Sequence, residues 1–189
     1  MNQVRIIAGT WRRQLIKFPD SVGLRPTPDR VRETLFNWLG QDLTGRTCLD
    51  LFAGSGALGF EAASRGAARV VMVERDAKVM AALKENARRL KMPTTVEFVA
   101  TDALKYAVSC KTPFDVVFAD PPYRQGWLAR LEPALDTLLT PDGAFYAEAE
   151  FPVETLGAWT SARQGQAGQV YFHLLHLVQQ EQEETGVAA

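Results

Sequence analysis

The sequence predicts an α/β domain built on a doubly wound, mostly parallel sheet, with a β-hairpin ahead of it. Three observations carry that expectation. From Thr47 to Leu139, short β-rich apolar runs alternate with segments of helical period, the pattern of right-handed strand–helix–strand crossovers. The first of these runs breaks into glycines at Gly54, Gly56 and Gly59, where a strand turns sharply into the start of a helix. Before them, residues 3–18 alternate weakly around Gly9, as V-R-I-I and then Q-L-I-K-F, which reads as a hairpin.

After the hairpin comes Leu24 to Pro28, L-R-P-T-P, expected to be extended because a residue before proline is pushed out of helical space. A helix then opens with Thr27 as its cap and Pro28 at its first position. Val31, Leu35, Trp38 and Leu39 form its apolar stripe, leaving Arg30, Arg32 and Glu33 off it. Strands are expected at 47–52, 69–74, 95–100, 114–119 and 142–148, and helices at 57–65, 76–91, 102–108 and 127–139. After Phe151 a short helix is expected. Strands at 158–164 and 169–178 follow, joined near Gly165 to Gly168 as a hairpin. This gives a seven-stranded sheet in which one C-terminal strand runs antiparallel. The expected organisation is a hairpin extension over 1–23, one domain over 24–180 and a disordered acidic tail over 181–189.

A hydrophobic fraction of 47% with four Trp in 189 residues supplies a full core for one domain and excludes disorder as the class. No apolar run approaches the roughly 20 residues of a membrane span. The start, M-N-Q-V-R-I-I-A-G-T-W-R-R, lacks a signal-peptide apolar segment. A cytoplasmic protein with buried free thiols at Cys48 and Cys110 is the expectation. His173 and His176 are three apart on a strand and face opposite ways, and no Cys/His cluster has ligand spacing, so no metal is expected.

The net charge of −1 hides an asymmetry. Residues 1–46 hold eight Arg or Lys against four Asp or Glu, whereas the tail after Gln180 has three Glu and no base. A polyanion site at the front end is one explanation, with Arg5, Arg12, Arg13, Lys17 and Arg25 as candidate phosphate contacts. A solvated, arginine-rich surface is the other.

The candidate chemistry gathers at strand ends, where open parallel sheets bind ligands. Residues 48–59, C-L-D-L-F-A-G-S-G-A-L-G, set Gly54, Gly56 and Gly59 at G-x-G-x-x-G spacing, with Phe52 and Ser55 around the turn. That spacing serves dinucleotide enzymes and methyltransferases alike. Asp50, four residues before Gly54, favours the cationic amino-acid end of S-adenosylmethionine and would repel a pyrophosphate. Glu74, followed by Arg75, ends the next strand and can accept from both ribose hydroxyls. Asp102 can accept from an adenine amine while the Ala103 N–H meets a ring nitrogen; Asp102 is equally suited to capping a helix.

The most specific feature is Asp120-Pro121-Pro122-Tyr123 after the strand F-D-V-V-F-A. Consecutive prolines cannot continue a sheet and hold a rigid extended loop. Such a loop can aim the Asp120 carboxylate and the Pro121 carbonyl at the two hydrogens of one amine. That favours a pyramidal nitrogen whose lone pair points at a methyl donor. Tyr123 can stack on a base, a contact worth about 1–3 kcal/mol. Glu148, ending the fifth strand, is expected to support this loop from behind.

The glycine loop together with D-P-P-Y resembles the class I S-adenosylmethionine-dependent amino-methyltransferases. The wider frame is similar to the RsmD family of bacterial 16S ribosomal RNA guanine-N2 methyltransferases. The matching segments are R-I-I-A-G-T-W-R-R (5–13), L-R-P-T-P-D-R-V-R-E-T-L-F-N-W-L (24–39), the glycine loop, D-P-P-Y and A-G-Q-V (167–170), so the likeness reaches to about residue 178. The resemblance implies a class I methyltransferase (Rossmann-like) fold and S-adenosylmethionine as cofactor. It implies a monomer that methylates one 16S rRNA guanine at N2, of the guanine 966 type, on a small subunit or its assembly intermediate. A DNA amino-methyltransferase would share D-P-P-Y, and a non-catalytic RNA-binding module would share the basic front end.

Overall fold

The computed structural model describes residues 2–20 and 27–178. Arg25, most of the expected extended run before Pro28, and the acidic tail lie outside the described residues. The main sheet begins at β3 (Thr47–Asp50) and continues through β4 (Arg69–Glu74), β5 (Val96–Ala100), β6 (Phe114–Ala119) and β7 (Leu139–Ala149). These five strands are parallel, in the spatial order β5-β4-β3-β6-β7. The C-terminal hairpin, β9 (Trp159–Ala167) and β10 (Val170–Leu177), adds beyond them, with β10 antiparallel to both β7 and β9. This is the expected doubly wound sheet, with its antiparallel strand near the C-terminus.

The helices α2 (Ala57–Ser64), α3 (Ala77–Arg89) and α4 (Ala103–Ser109) cross between successive strands. Strand side chains alternate between two cores. Cys48, Val70, Val116 and Phe118 face one cluster, and Leu49, Val71, Val117 and Phe145 face the other. Burial on both faces explains why these strands read as continuous apolar runs.

Several local expectations need correction. The helix foreseen over 127–139 is α5 (Trp127–Leu131), a 3-10 turn at Glu132–Ala134 and α6 (Leu135–Leu138). Pro133 has no N–H to carry the α-helical ladder through. Among the described residues no helix follows Phe151. A two-residue edge strand, β8 (Thr155–Leu156), turns through Gly157 at φ +59° to pair with β9, making an eighth strand. Pro152 and the lack of an apolar stripe account for the difference. Cys48 is buried, and burial pushes its thiol up to about 12, whereas Cys110 is only partly covered. Both are free.

The helix α1 (Asp29–Trp38) starts without a side-chain cap. Thr27 does not cap it; its hydroxyl reaches Glu148, 121 residues away. Arg32, read as lying off the buried stripe, is fully buried. Its guanidinium donates to Glu61 Oε2 (3.4 Å), Asp29 Oδ1 (2.6 Å) and the carbonyls of Arg5 (2.9 Å) and Thr27 (3.2 Å). Sequence spacing identifies an apolar stripe, not a buried charge whose partners come from other segments.

The hairpin, β1 (Asn2–Arg5) with β2 (Leu15–Phe18), does not stand away from the sheet domain. Val4, Ile6, Ile16 and Phe18 are buried in the same core as α1 and α2. Glu61 of α2, itself fully buried, accepts the N–H groups of Ile7 (2.8 Å) and Ala8 (3.0 Å) and also pairs with Arg32 and Arg65. Asn86 of α3 exchanges two hydrogen bonds with the Lys17 backbone, and the Trp11 indole donates to the Leu90 carbonyl. Gly9 sits at φ +78° with Ser64 O only 1.7 Å from where a Cβ would be, so the chain can lie this close to α2 only as glycine. No helix among the described residues is long and apolar enough to cross a membrane.

Candidate active site

The carboxyl ends of the parallel strands open into one cavity of about 890 Å³. It lies where the strand order reverses between β3 and β6, the usual ligand position in such sheets. In sheet order, the acids at or just past the strand ends are Asp102, Glu74, Asp50, Asp120 and Glu148. At about 4.8 Å per strand the row spans about 19 Å. All five line the cavity.

The glycine loop is built by three different requirements. Gly54 turns at φ +49° and gives its N–H to Glu74 Oε2 (3.1 Å). Gly56 caps α2 at φ +83°, and a Cβ there would meet the Phe60 ring at 2.5 Å. Gly59 is ordinary helix, but a Cβ would lie 2.8 Å from Met72. Gly54, Ser55 and Phe52 line the cavity, while Gly56 and Gly59 shape it from behind.

Asp50 is buried and accepts the Gly59 N–H at 3.1 Å, tying the strand to the helix start. Burial raises its carboxyl to about 7 against the opposing hydrogen bonds from Gly59 and Phe52, with Glu74 adding to the rise. Glu74 also takes the Asp76 N–H at 2.7 Å, so one carboxylate holds both the glycine loop and the next turn. Arg75 lines the rim beside it. Asp102 does cap α4, accepting from Leu104 (2.9 Å) and Lys105 (3.1 Å), both on Oδ1. No described residue donates to Oδ2, so capping and ligand binding are compatible. Ala103 lies next to it on the cavity wall.

Asp120, Pro121, Pro122 and Tyr123 form the opposite wall, and Tyr123 is exposed at the mouth. The loop is fixed to the end of β7, where Glu150 accepts the Arg124 N–H at 2.9 Å and pairs with its guanidinium at 3.6 Å. Burial, then the nearby Glu148 and Asp50, push the Asp120 carboxyl well above the usual carboxylate range, against the Thr27 hydroxyl. The arrangement is a preorganised acceptor at the rim of an elongated, acid-lined cleft.

The likeness to known proteins fits this geometry. A family model described as "Conserved hypothetical protein 95" matches residues 4–176. The chain is 43% identical over 177 residues to the Ribosomal RNA small subunit methyltransferase D of Escherichia coli K12, covering 91% of this chain and 89% of that one. It is 41% identical over 182 residues to the protein of the same name from Haemophilus influenzae, covering 91% and 93%. The chain belongs to the RsmD family of methyltransferases. A solved putative methyltransferase, yhhF from Escherichia coli, superposes with a TM-score of 0.85 at 41% identity, over 95% of this chain and 100% of that one.

In this RsmD-family methyltransferase the cavity also contains residues that local sequence patterns do not reveal. Thr27 and Pro28 come from the segment before α1, and Ala167 and Val170 come from the β9–β10 turn. Trp127 meets Phe52 edge-on, with ring centres 5.1 Å apart, and Arg130 stacks on Trp127 at 4.2 Å. Glu148 also lies in the cavity wall. The A-G-Q-V motif was the available signal for the β9–β10 turn; nothing in the sequence marked Thr27 as a partner of Glu148.

Among the described residues, the basic front-end side chains Arg5, Arg12, Arg13 and Lys17 do not line the cavity. Arg5, Arg12, Arg13 and Lys17 are exposed on the hairpin. Arg5 pairs with Asp29 at 3.5 Å. Arg12 edges a separate groove of about 540 Å³ against Glu33 and Arg65.

Proposed function

We propose that this protein transfers a methyl group from S-adenosylmethionine to the exocyclic N2 of one guanine in 16S rRNA, guanine 966 by family resemblance. The substrate would be a small subunit or its assembly intermediate, and the enzyme a cytoplasmic monomer. The observation that carries the reading is the D-P-P-Y loop facing the glycine loop, Glu74 and Asp102 across one cavity. The names of the relatives supply the RNA.

The residues present fit the cofactor. Glu74 suits the ribose hydroxyls, Asp102 Oδ2 the adenine amine and Asp50 with the glycine loop the amino-acid end. S-adenosylmethionine supplies an electrophilic methyl on a sulfonium that leaves as a neutral thioether. Asp120 and the Pro121 carbonyl accept from the guanine amine and turn its lone pair toward that methyl. As the N–C bond forms, the amine proton passes to Asp120 or water; the raised affinity of Asp120 for a proton suits this. Fixing the in-line geometry replaces a bimolecular encounter, an effect that can reach about 7–11 kcal/mol. A guanine in a stacked site must be flipped out, at a cost of a few kcal/mol.

Glu74→Ala is expected to weaken S-adenosylmethionine binding by about 1.5–3 kcal/mol, the contribution of hydrogen bonds to a charged acceptor. Calorimetry checks this, and unchanged affinity would remove Glu74 from the cofactor site. For the RNA half, Arg12 and Arg13 are exposed and outside the cavity. Replacing both with Ala should lower subunit affinity and flatten its salt slope by roughly one to two units, with cofactor binding unaltered. An unchanged slope would assign the arginines to ordinary solvated surface.

A further inference from the structure

The D-P-P-Y loop reads an exocyclic amine, and adenine, cytosine and guanine all carry one. Resting on the function proposed above, we infer that Glu148 restricts the target to guanine by accepting the N1–H beside the amine that Asp120 orients.

The register of β6 against β7 places the two acids together. Phe118 pairs with Tyr146 and Ala119 with Ala147, so the next rung sets Asp120 beside Glu148. Side chains two apart share a face, and the rings of Phe118 and Tyr146 meet on that face at 6.3 Å. Asp120 and Glu148 therefore point the same way from strands about 4.8 Å apart, and both line the cavity.

The two oxygens of Glu148 differ. Oε1 accepts from the Tyr146 hydroxyl (2.8 Å) and the Thr27 hydroxyl (3.1 Å). No described residue donates to Oε2. Glu148 itself lines the cavity beside Asp120. Burial raises the Glu148 carboxyl above the usual carboxylate range, and the Tyr146 and Thr27 hydroxyls on Oε1 oppose that rise.

Base chemistry supplies the discrimination. In adenine and cytosine the ring nitrogen next to the amine, N1 or N3, is a bare acceptor. In guanine N1 carries a hydrogen. A carboxylate oxygen there pairs with guanine but faces a lone pair in the other two, leaving a charged acceptor unsatisfied. Sites built to hydrogen-bond an N–H reject analogues that lack it far more strongly than apolar pockets reject a missing methylene.

The test uses 2-aminopurine, which keeps the C2 amine but has no N1 hydrogen and no O6. Small subunits are assembled with 16S rRNA carrying either guanine or 2-aminopurine at the methylated position, after the wild-type product has been mapped. The wild type should prefer guanine by about 100-fold or more in kcat/KM. Glu148→Gln keeps an oxygen for Tyr146 and Thr27 and can turn its amide N–H2 toward N1. It should narrow the guanine preference by about tenfold or more. A wild type that methylates 2-aminopurine as well as guanine overturns the inference, whatever the variant does. A variant that slows both substrates equally also overturns it and leaves Glu148 as a support for Tyr146 and Thr27. A mapped product other than N2-methylguanine would instead remove the function proposed above, so the two failures are distinct.

Discussion

Asp120→Ala is expected to lower kcat by about 10²–10⁴-fold, the range for removing a positioned group that handles a proton. Affinity for S-adenosylmethionine should stay within a few-fold, because Asp120 stands on the D-P-P-Y wall and not on the glycine-loop side. The variant should be no less stable than the wild type at neutral pH. Burial, Glu148 and Asp50 raise the carboxyl in the folded state, so the fold holds this proton more tightly than the unfolded chain does. Such a group favours folding below its unfolded pKa and opposes it as pH rises through the raised value. Wild-type activity should show the converse dependence. The ionised form is the acceptor, so turnover should fall as pH drops through a value above the ordinary carboxylate range, and Asp120→Ala should lose that limb. Turnover near the wild-type rate in Asp120→Ala would end the amine-orienting role.

Glu61→Ala is expected to destabilise the protein by about 3–5 kcal/mol, the usual cost of breaking a buried ion pair by removing one partner. Glu61 is fully buried and satisfies Arg32, Arg65 and the N–H groups of Ile7 and Ala8. Its loss leaves the fully buried guanidinium of Arg32 without its buried counter-charge and frees the strap between hairpin and α2. Urea unfolding should show the shift in midpoint. An unchanged midpoint would mean that the apolar hairpin residues and the Asn86 and Trp11 contacts hold the hairpin without Glu61. The same contacts bear on function: α2 begins at the glycine loop, so the basic hairpin is docked on the helix that forms one side of the cavity.

Most of the architecture was legible because it rests on local patterns. The apolar runs at 69–74 and 114–119 became buried parallel strands, and the G-x-G-x-x-G run became a strand–turn–helix. The sequence also placed acids at strand ends, and the sheet order then gathered them in one cavity. What escaped were contacts between distant segments. Arg32 looked like a surface base until Glu61 and the Arg5 carbonyl were brought to it. Thr27 looked like a helix cap until Glu148 took its hydroxyl. Pro133, by contrast, was a local signal that should have divided the helix foreseen over 127–139.

The most direct test is to incubate small subunits from cells lacking this protein with methyl-labelled S-adenosylmethionine and the purified enzyme, then map the label. A guanine-N2 methyltransferase should leave one label per subunit, on N2 of a single 16S rRNA guanine, present with the wild type and absent with Asp120→Ala. Label on another base, on a guanine atom other than N2 or on a ribosomal protein would contradict that function.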